Sequence, residues 1–349
     1  MGDMILLTST GVEQVDQIIR GVISLLEFHF PARIRGYYLE GSYADGSAVP
    51  TSDIDVSVIF KATLSDEEEQ QFNRIRAACK LICPCALDLV PISEVTLLQV
   101  DALQFPGDSL LVFGSVGFKY ASVLIYGEDI RSHVPDVRMD TYTRHLMHFA
   151  AHVLVLRRGN PPEVFVPIDY PDPTDEFYGY ARRQMRTLDG TIVIGTKNLV
   201  LSTMWIATAL IALRAHQYVG SKRQVVAHYQ RWINDAWTLL LEAICTECRM
   251  QWHYQVPVIA IDRQRLRDLC AQALAFENHF LAVYKTYVFR ELQHANDAIK
   301  LHAVQRLGQI RYVDATIPDR LQAMQPTDNM ELCRAIETTI YHYATLEAD

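Results

Sequence analysis

Gly41-Ser42-Tyr43-Ala44-Asp45-Gly46-Ser47 is followed, after three residues, by Thr51-Ser52-Asp53-Ile54-Asp55-Val56-Ser57-Val58-Ile59-Phe60. Arg35 to Glu40 reads as a strand running into the Gly-Ser turn, and Ile54 to Phe60 as the next strand. Side chains alternate faces along a strand, so Asp53 and Asp55 point the same way. Two carboxylates on one face, beside a loop of small residues, can hold hard divalent cations against a triphosphate. An ordinary hairpin with aspartate caps explains either acid alone. Two turns, two acids and an apolar run in fixed order are harder to reach by chance.

In this order the residues resemble the polymerase-beta-type nucleotidyltransferase superfamily: Gly41-Ser42, then Gly46-Ser47, then Ser52-Asp53-x-Asp55 before an apolar strand. The superfamily adds a third carboxylate on a later strand, and Leu87-Asp88-Leu89-Val90 offers it. A lone acid between two leucines is costly to bury unpaired, and a cation beside it removes that objection. Val123-Leu124-Ile125-Tyr126-Gly127-Glu128-Asp129 is similar to the strand that ends such domains. The resemblance covers about residues 10 to 135.

Beyond residue 135 the layout is similar to small-molecule nucleotidyltransferases, including those that inactivate aminoglycosides. In these a long apolar helix leads to a Gly, a Ser-Lys and another helix. Leu199 to Tyr218 followed by Gly220-Ser221-Lys222 and Val225 to Tyr229 fits, and implies Lys222 near the phosphates. Three departures stand out. Trp205 occupies the place of a cationic residue in that group, the third acid is Asp rather than Glu, and the chain is longer.

The resemblance implies an α+β fold. Residues 1–135 form a nucleotidyltransferase domain with a mixed β-sheet flanked by helices, and 136–349 an all-α domain closing over nucleotide and acceptor. It implies two Mg2+ ions on Asp53, Asp55 and Asp88, with Asp88 also taking the proton of the acceptor hydroxyl. Gly41, Ser42, Ser52 and Lys222 are the expected nucleotide-binding residues. Ser42 and the backbone N–H groups around Gly41 would cradle phosphates as a nest does, and Ser52 reads as a turn cap. The co-substrate expected is a nucleoside triphosphate, ATP, giving AMP to a small-molecule hydroxyl.

Composition sets limits. At 349 residues, half of them hydrophobic, the chain can bury two substantial cores and is not disordered. No run of about 20 apolar residues suggests a membrane span, and Met1 to Leu7 lacks the basic start of a signal peptide. Seven cysteines, an odd number without a secreted-scaffold spacing, read as reduced thiols of a cytoplasmic protein. The pairs Cys83/Cys85 and Cys245/Cys248 do not make a zinc pattern. Residues 1–136 carry 9 Lys and Arg against 19 Asp and Glu, the rest 23 against 22. This distribution argues against a broad phosphate-tracking surface and suits a cationic acceptor such as an aminoglycoside. Oligomeric state is left open.

Apolar spacing predicts a helix over 11–28, ended by Pro31. Ser65 with Glu68 predicts a capping box for a helix to about Cys79. Further helices are expected at 141–156, 177–186, 197–218, 222–249, 262–284 and 329–346. Phe105 to Asp108 marks a turn, and the prolines of 159–173 a linker. Two other patterns are weak. Arg223 and His228 have an Arg-x4-His ribonuclease spacing but not one helical face. His145, His148 and His152 share a face, and packing at a junction explains them better than a metal. The rivals to small-molecule transfer are the same chemistry on tRNA, on protein or on a second nucleotide, and a non-catalytic nucleotide-binding module.

Overall fold

In the computed structural model, residues 4–103, 109–156, 164–169, 172–325 and 328–346 are described. The expected turn at Phe105 to Asp108 and prolines 161, 162 and 171 of the linker lie outside them.

The first half is built as the alternation of apolar residues dictates. Helix α1 (Glu13–His29) buries Val15, Ile19, Val22, Ile23 and Leu26, one stripe at helical spacing. Strands β1 (Ile34–Glu40) and β2 (Ile54–Phe60) flank a one-turn helix, α2 (Gly41–Ala44). Helix α3 (Asp66–Ile82) opens with the predicted box: Ser65 Oγ accepts from Glu68 N–H, and Glu68 Oε2 accepts from Ser65 N–H at 2.9 Å. Then come β3 (Leu87–Ser93), α4 (Glu94–Leu97), α5 (Ser109–Ala121) and β4 (Val123–Gly127). The strand order is β3-β2-β1-β4, with β2 and β3 parallel and β1 antiparallel to both neighbours, β2 and β4.

Period-two alternation splits the core across this sheet. Tyr37, Leu39, Val56, Val58 and Phe60 pack under α1 and α3. Tyr38 and Ile59 face the other way and join a cluster that runs through Val134, Val137 and the later helices to Tyr343. Asp55 and Ser57 share the parity of Ile59, so they too face the second half.

That half consists of α6 (Met139–Leu156), α7 (Lys197–Ala215), α8 (Lys222–Trp232), α9 (Thr238–Ala243), α10 (Ala260–Glu291), α11 (Asp297–Gln309), α12 (Thr316–Gln322) and α13 (Met330–Leu346). It is mostly helical rather than all-α. Strands β5 (Val164–Val166) and β8 (Ile310–Tyr312) pair parallel, and β6 (Arg183–Arg186) and β7 (Ile192–Gly195) form a hairpin.

Two expected helices differ. Residues 177–186 are turns and a strand, because Asp172 and Asp175 accept from Thr174 and Phe177 N–H and both bind Arg182. The pattern over 222–249 breaks where Asn234 takes φ +46 and Asp235 accepts from Trp237 N–H. It resumes in α9 and winds on as a π-helical segment, Ile244–Gln251. Among the described helices α7 alone is long and apolar enough to cross a membrane, and 67% of that stretch is buried inside the protein.

Candidate active site

The β1–β2 loop is shaped by its glycine and tied down by the second half. Gly41 has φ +63, and a Cβ there would lie 2.6 Å from Asp55 Oδ2. Both conditions demand glycine. Ser47 N–H donates to Ser42 O at 2.9 Å, closing the loop. Ser52 Oγ accepts from Val49 N–H at 2.9 Å, the capping role read for it. Buried Arg249, from the π-helical segment, donates to Ser47 Oγ at 2.7 Å and to Ser47 O at 3.2 Å. Arg223 donates to Asp45 O at 2.8 Å, and Thr51 Oγ1 to His253 O at 2.8 Å.

The carboxylates stand in a row. Glu40 pairs with Asp55 across β1–β2, and Asp55 with Asp88 across β2–β3, so three acids on adjacent strands share one face. Burial raises Glu40 above the usual carboxylate range, against the hydrogen bond donated by Ser57 Oγ. Asp55 is pushed up to about 7 by burial first and by the neighbouring Asp53 second, with Lys222 and Lys197 pulling the other way. Asp53 ends below its ordinary value: burial opposes ionisation, but Lys197 at 2.6 Å from Oδ2 and more distant Lys222 outweigh it. Asp88 sits at the rim, about half exposed, with Lys80 Nζ 2.9 Å from Oδ1.

Two helices deliver the positive charge. Lys197 is the first residue of α7 and Lys222 the first of α8. Each brings an ammonium group together with the positive end of a helix dipole. Burial lowers the Lys222 pKa, and Asp53 and Asp55 oppose the shift. These groups line one cavity of about 340 Å3 with Gly41, Ser42, Ser52, Asp88 and Arg249. Its apolar wall includes Phe113 and Trp205, whose ring centroids are 5.1 Å apart, and Phe149 packs tilted against the first and edge-on against the second. Trp205 thus sets an aromatic face where the resemblance leads one to expect a cation, and Lys197, at the start of the same helix, brings an ammonium group to the same cavity.

The donors suit a hard cation. Among the described residues no cluster of three or more Asp, Glu, His or Cys closes around a point. Asp53 and Asp55 offer an open, oxygen-only pair, and magnesium commonly binds one or two carboxylates and completes its shell with substrate phosphates and water. Burial first and the neighbouring Asp53 second disfavour the ionised form of Asp55, and a divalent cation between the two would offset both.

All seven sequence-derived site residues, Gly41, Ser42, Ser52, Asp53, Asp55, Asp88 and Lys222, border this one cavity. Sequence reasoning missed Lys197, Glu40 and Arg249. A lysine opening an otherwise apolar helix was a visible signal for Lys197, and Glu40 adjoins the Gly-Ser turn. Nothing local marks Arg249. The weak patterns have other occupations. Arg223 holds the Asp45 carbonyl, and buried His148 bonds Glu291 at 2.7 Å and Tyr284 at 2.6 Å.

The family model described as "Nucleotidyltransferase domain" matches residues 19–107, the segment that carries the turn and all three aspartates. Residues 19–107 are a nucleotidyltransferase domain. No curated protein matches the chain. Among solved structures, a spectinomycin adenyltransferase AAD(9) from Enterococcus faecialis, determined with ATP and spectinomycin, is 13% identical with a TM-score of 0.44, over 76% of this chain and 99% of that one. A toxin-antitoxin determined with AMP-PNP is 17% identical with a TM-score of 0.22, over 40% of this chain and 91% of that one. At these scores neither fixes any detail of the site. The domain and its acids make the chain a nucleotidyltransferase enzyme.

Proposed function

We propose that the protein transfers AMP from ATP to a hydroxyl group of a small molecule and releases pyrophosphate. The observation that carries this reading is the facing of Asp53 and Asp55 with Lys197 and Lys222 over the Gly41-Ser42 turn. Carboxylates alone repel a triphosphate, and lysines alone hold no metal. The combination suits a nucleotide that arrives with its cation.

Ser42 and the N–H groups of the Gly41 turn cradle the phosphates, and Lys222 and Arg249 add charge from the second half. Asp53 and Asp55 would hold magnesium, which would neutralise the triphosphate and lower the pKa of the acceptor hydroxyl. Asp88 takes the hydroxyl proton. The new O–P bond forms at the α-phosphorus as the bond to the β-phosphate oxygen breaks, and pyrophosphate leaves with that electron pair. Residues 1–135 supply the carboxylates and the Gly-Ser turn, and 136–349 supply Lys197, Lys222 and Arg249 and cover the nucleotide and acceptor.

The test is incubation with magnesium and each α-labelled nucleoside triphosphate, alone and with separate pools of small molecules, tRNA and protein. Label from ATP on a small molecule supports the reading. Label on RNA, on protein or in a nucleotide-only product overturns the acceptor class. Nucleotide binding without transfer to any pool overturns catalysis in favour of a binding module.

A further inference from the structure

A second cavity, of about 390 Å3, shares only Asp53 and Lys197 with the first, so their ion pair is the partition between the two. Its charge is lopsided. Lys80, Lys197, Arg183 and Arg186 line it, and Asp53 is its one carboxylate. Lys80 and Lys197 are matched by Asp88 and Asp53. Arg183 touches the neutral Asn198 Oδ1 at 3.4 Å. Neither arginine has a carboxylate partner among the described residues.

The two arginines sit on a firmly built hairpin. Gly190 takes φ +86 in its turn, where Asp189 Oδ1 accepts from Thr191 N–H at 3.0 Å. Gln14 Nε2 donates to Leu188 O at 3.0 Å, tying the tip to α1. At the base, a Cβ on Gly195 would lie 2.1 Å from Tyr254 O, so the end of the strand lies flat against the backbone of Tyr254. Gly195 is there because nothing larger fits.

Arg183 and Arg186, three apart on β6, leave the strand on opposite faces, yet both border the cavity. A guanidinium without a carboxylate partner recognises phosphate by bidentate hydrogen bonds as well as by charge. A polycation entering here meets two uncompensated guanidinium groups beside two ion-paired lysines. In phosphoryl transfer the attacking and leaving oxygens lie roughly in line across the phosphorus. The leaving pyrophosphate belongs on the side of Ser42, Lys222 and Arg249, in the first cavity. The acceptor then enters from the opposite side of Asp53, where the second cavity opens. Its volume is that of a small-molecule site.

Resting on the nucleotidyl-transfer reading above, we propose that this second cavity is the acceptor subsite and that the acceptor is a small phosphate-bearing alcohol. Arg183 and Arg186 hold its phosphate while its hydroxyl reaches past the Asp53–Lys197 pair. The acceptor is thus an anion, the reverse of the cationic acceptor that the acidic first half suggested.

The test uses the full chain loaded with magnesium and a non-hydrolysable α,β-methylene ATP, titrated calorimetrically with inorganic phosphate and, separately, with kanamycin. Phosphate binds the loaded protein, and Arg183→Ser/Arg186→Ser weakens it about tenfold or more, as loss of charge-assisted contacts does. The same variant keeps its affinity for the ATP analogue within about twofold, in line with arginines that touch only the acceptor. Arg183→Lys/Arg186→Lys, which keeps the charge and the fold, recovers part of the phosphate affinity. Absence of phosphate binding, equal loss of analogue and phosphate in the serine variant, or kanamycin binding tighter than phosphate overturns the proposal. Failure of the analogue to bind the unmutated protein instead sinks the nucleotidyl-transfer reading, and the acceptor role with it, whatever phosphate does.

Discussion

Lys197 Nζ lies 2.6 Å from Asp53 Oδ2, joining the first residue of α7 to the acid before β2 across 144 positions of sequence. The lysine is buried and the aspartate partly so, which makes this contact stronger than a surface pair. It holds Asp53 ionised where burial alone favours the neutral acid. In Lys197→Met, kcat should fall roughly 10²-fold, the loss typical of one preorganised charge contact. Steady-state kinetics with a folded, monodisperse variant check this, and a loss below about threefold removes Lys197 from the machinery.

Gly41 and Gly46 form a matched pair for a second test. Both have positive φ, +63 and +70, but a Cβ on Gly41 meets Asp55 whereas one on Gly46 meets nothing within 4 Å. Each alanine variant should lose about 1–2 kcal/mol of stability from backbone strain. Only Gly41→Ala should also lose nearly all turnover, because it displaces Asp55. Equal kinetics in the two variants would refute the contact.

Asp55 sets a pH dependence in the metal-free protein. Its folded pKa, raised from 3.8 to about 7, lies above the unfolded value, so the folded state binds the extra proton. The stability it contributes is present below pH 4 and is lost as pH rises through 7. Urea midpoints of wild type against Asp55→Asn should converge at pH 4 and diverge by pH 8, with the variant more stable. Magnesium with nucleotide should stabilise the wild type alone, and Asp55→Asn should have no measurable transfer.

Asp88 should separate chemistry from binding. It is exposed at the rim and engaged by Lys80, whereas the phosphates are proposed to lie on the Gly41-Ser42 turn. Asp88→Asn should lower kcat by about 10²-fold, as loss of a general base does. ATP affinity measured by calorimetry should stay unchanged. A raised Kd with unchanged kcat would assign Asp88 to nucleotide binding.

The second half carries its own titration. His302 is pushed down to about 2 by burial and by His148, Arg306, His145 and His152 around it, and its ring lies 4.2 Å from that of His148. His148 is lowered as well, by burial and by Arg306 and Arg144, with Glu291 opposing. A histidine held neutral contributes stability that is full above pH 6.5 and is lost as pH falls below it. One such group gives a slope of about 1.4 kcal/mol per pH unit. His302→Leu should flatten the acid limb between pH 6 and 4.5, seen in urea midpoints.

What the sequence revealed of the site follows from distance along the chain. Gly41, Ser42, Asp53 and Asp55 fall within fifteen residues, so one motif holds them, and Asp88 follows by the register of the next parallel strand. Lys222 was legible through its Gly-Ser-Lys helix start. Lys197 and Arg249 reach the same cavity from the second half, and Arg183 and Arg186 line the cavity beside it. Only the packing of α7, of the π-helical segment and of the β6–β7 hairpin brings them in. Its first strand, Arg183 to Arg186, reads in sequence as the end of a helix because Phe177 to Arg186 lacks a breaker other than Gly179. The decisive bonds there are made by Asp172 and Asp175 upstream.

The split of the core by the sheet bears on inheritance. One side of β1 and β2 is finished by the first half itself, but Tyr38 and Ile59 belong to the same packed body as Tyr343. A fragment ending near residue 135 would be left with an apolar side and no cover, and it would aggregate rather than fold. The catalytic segment is therefore not a part that can be lifted out and fused elsewhere. New acceptors have to be won in place, by changes in the hairpin and the helix starts, while the two halves travel together.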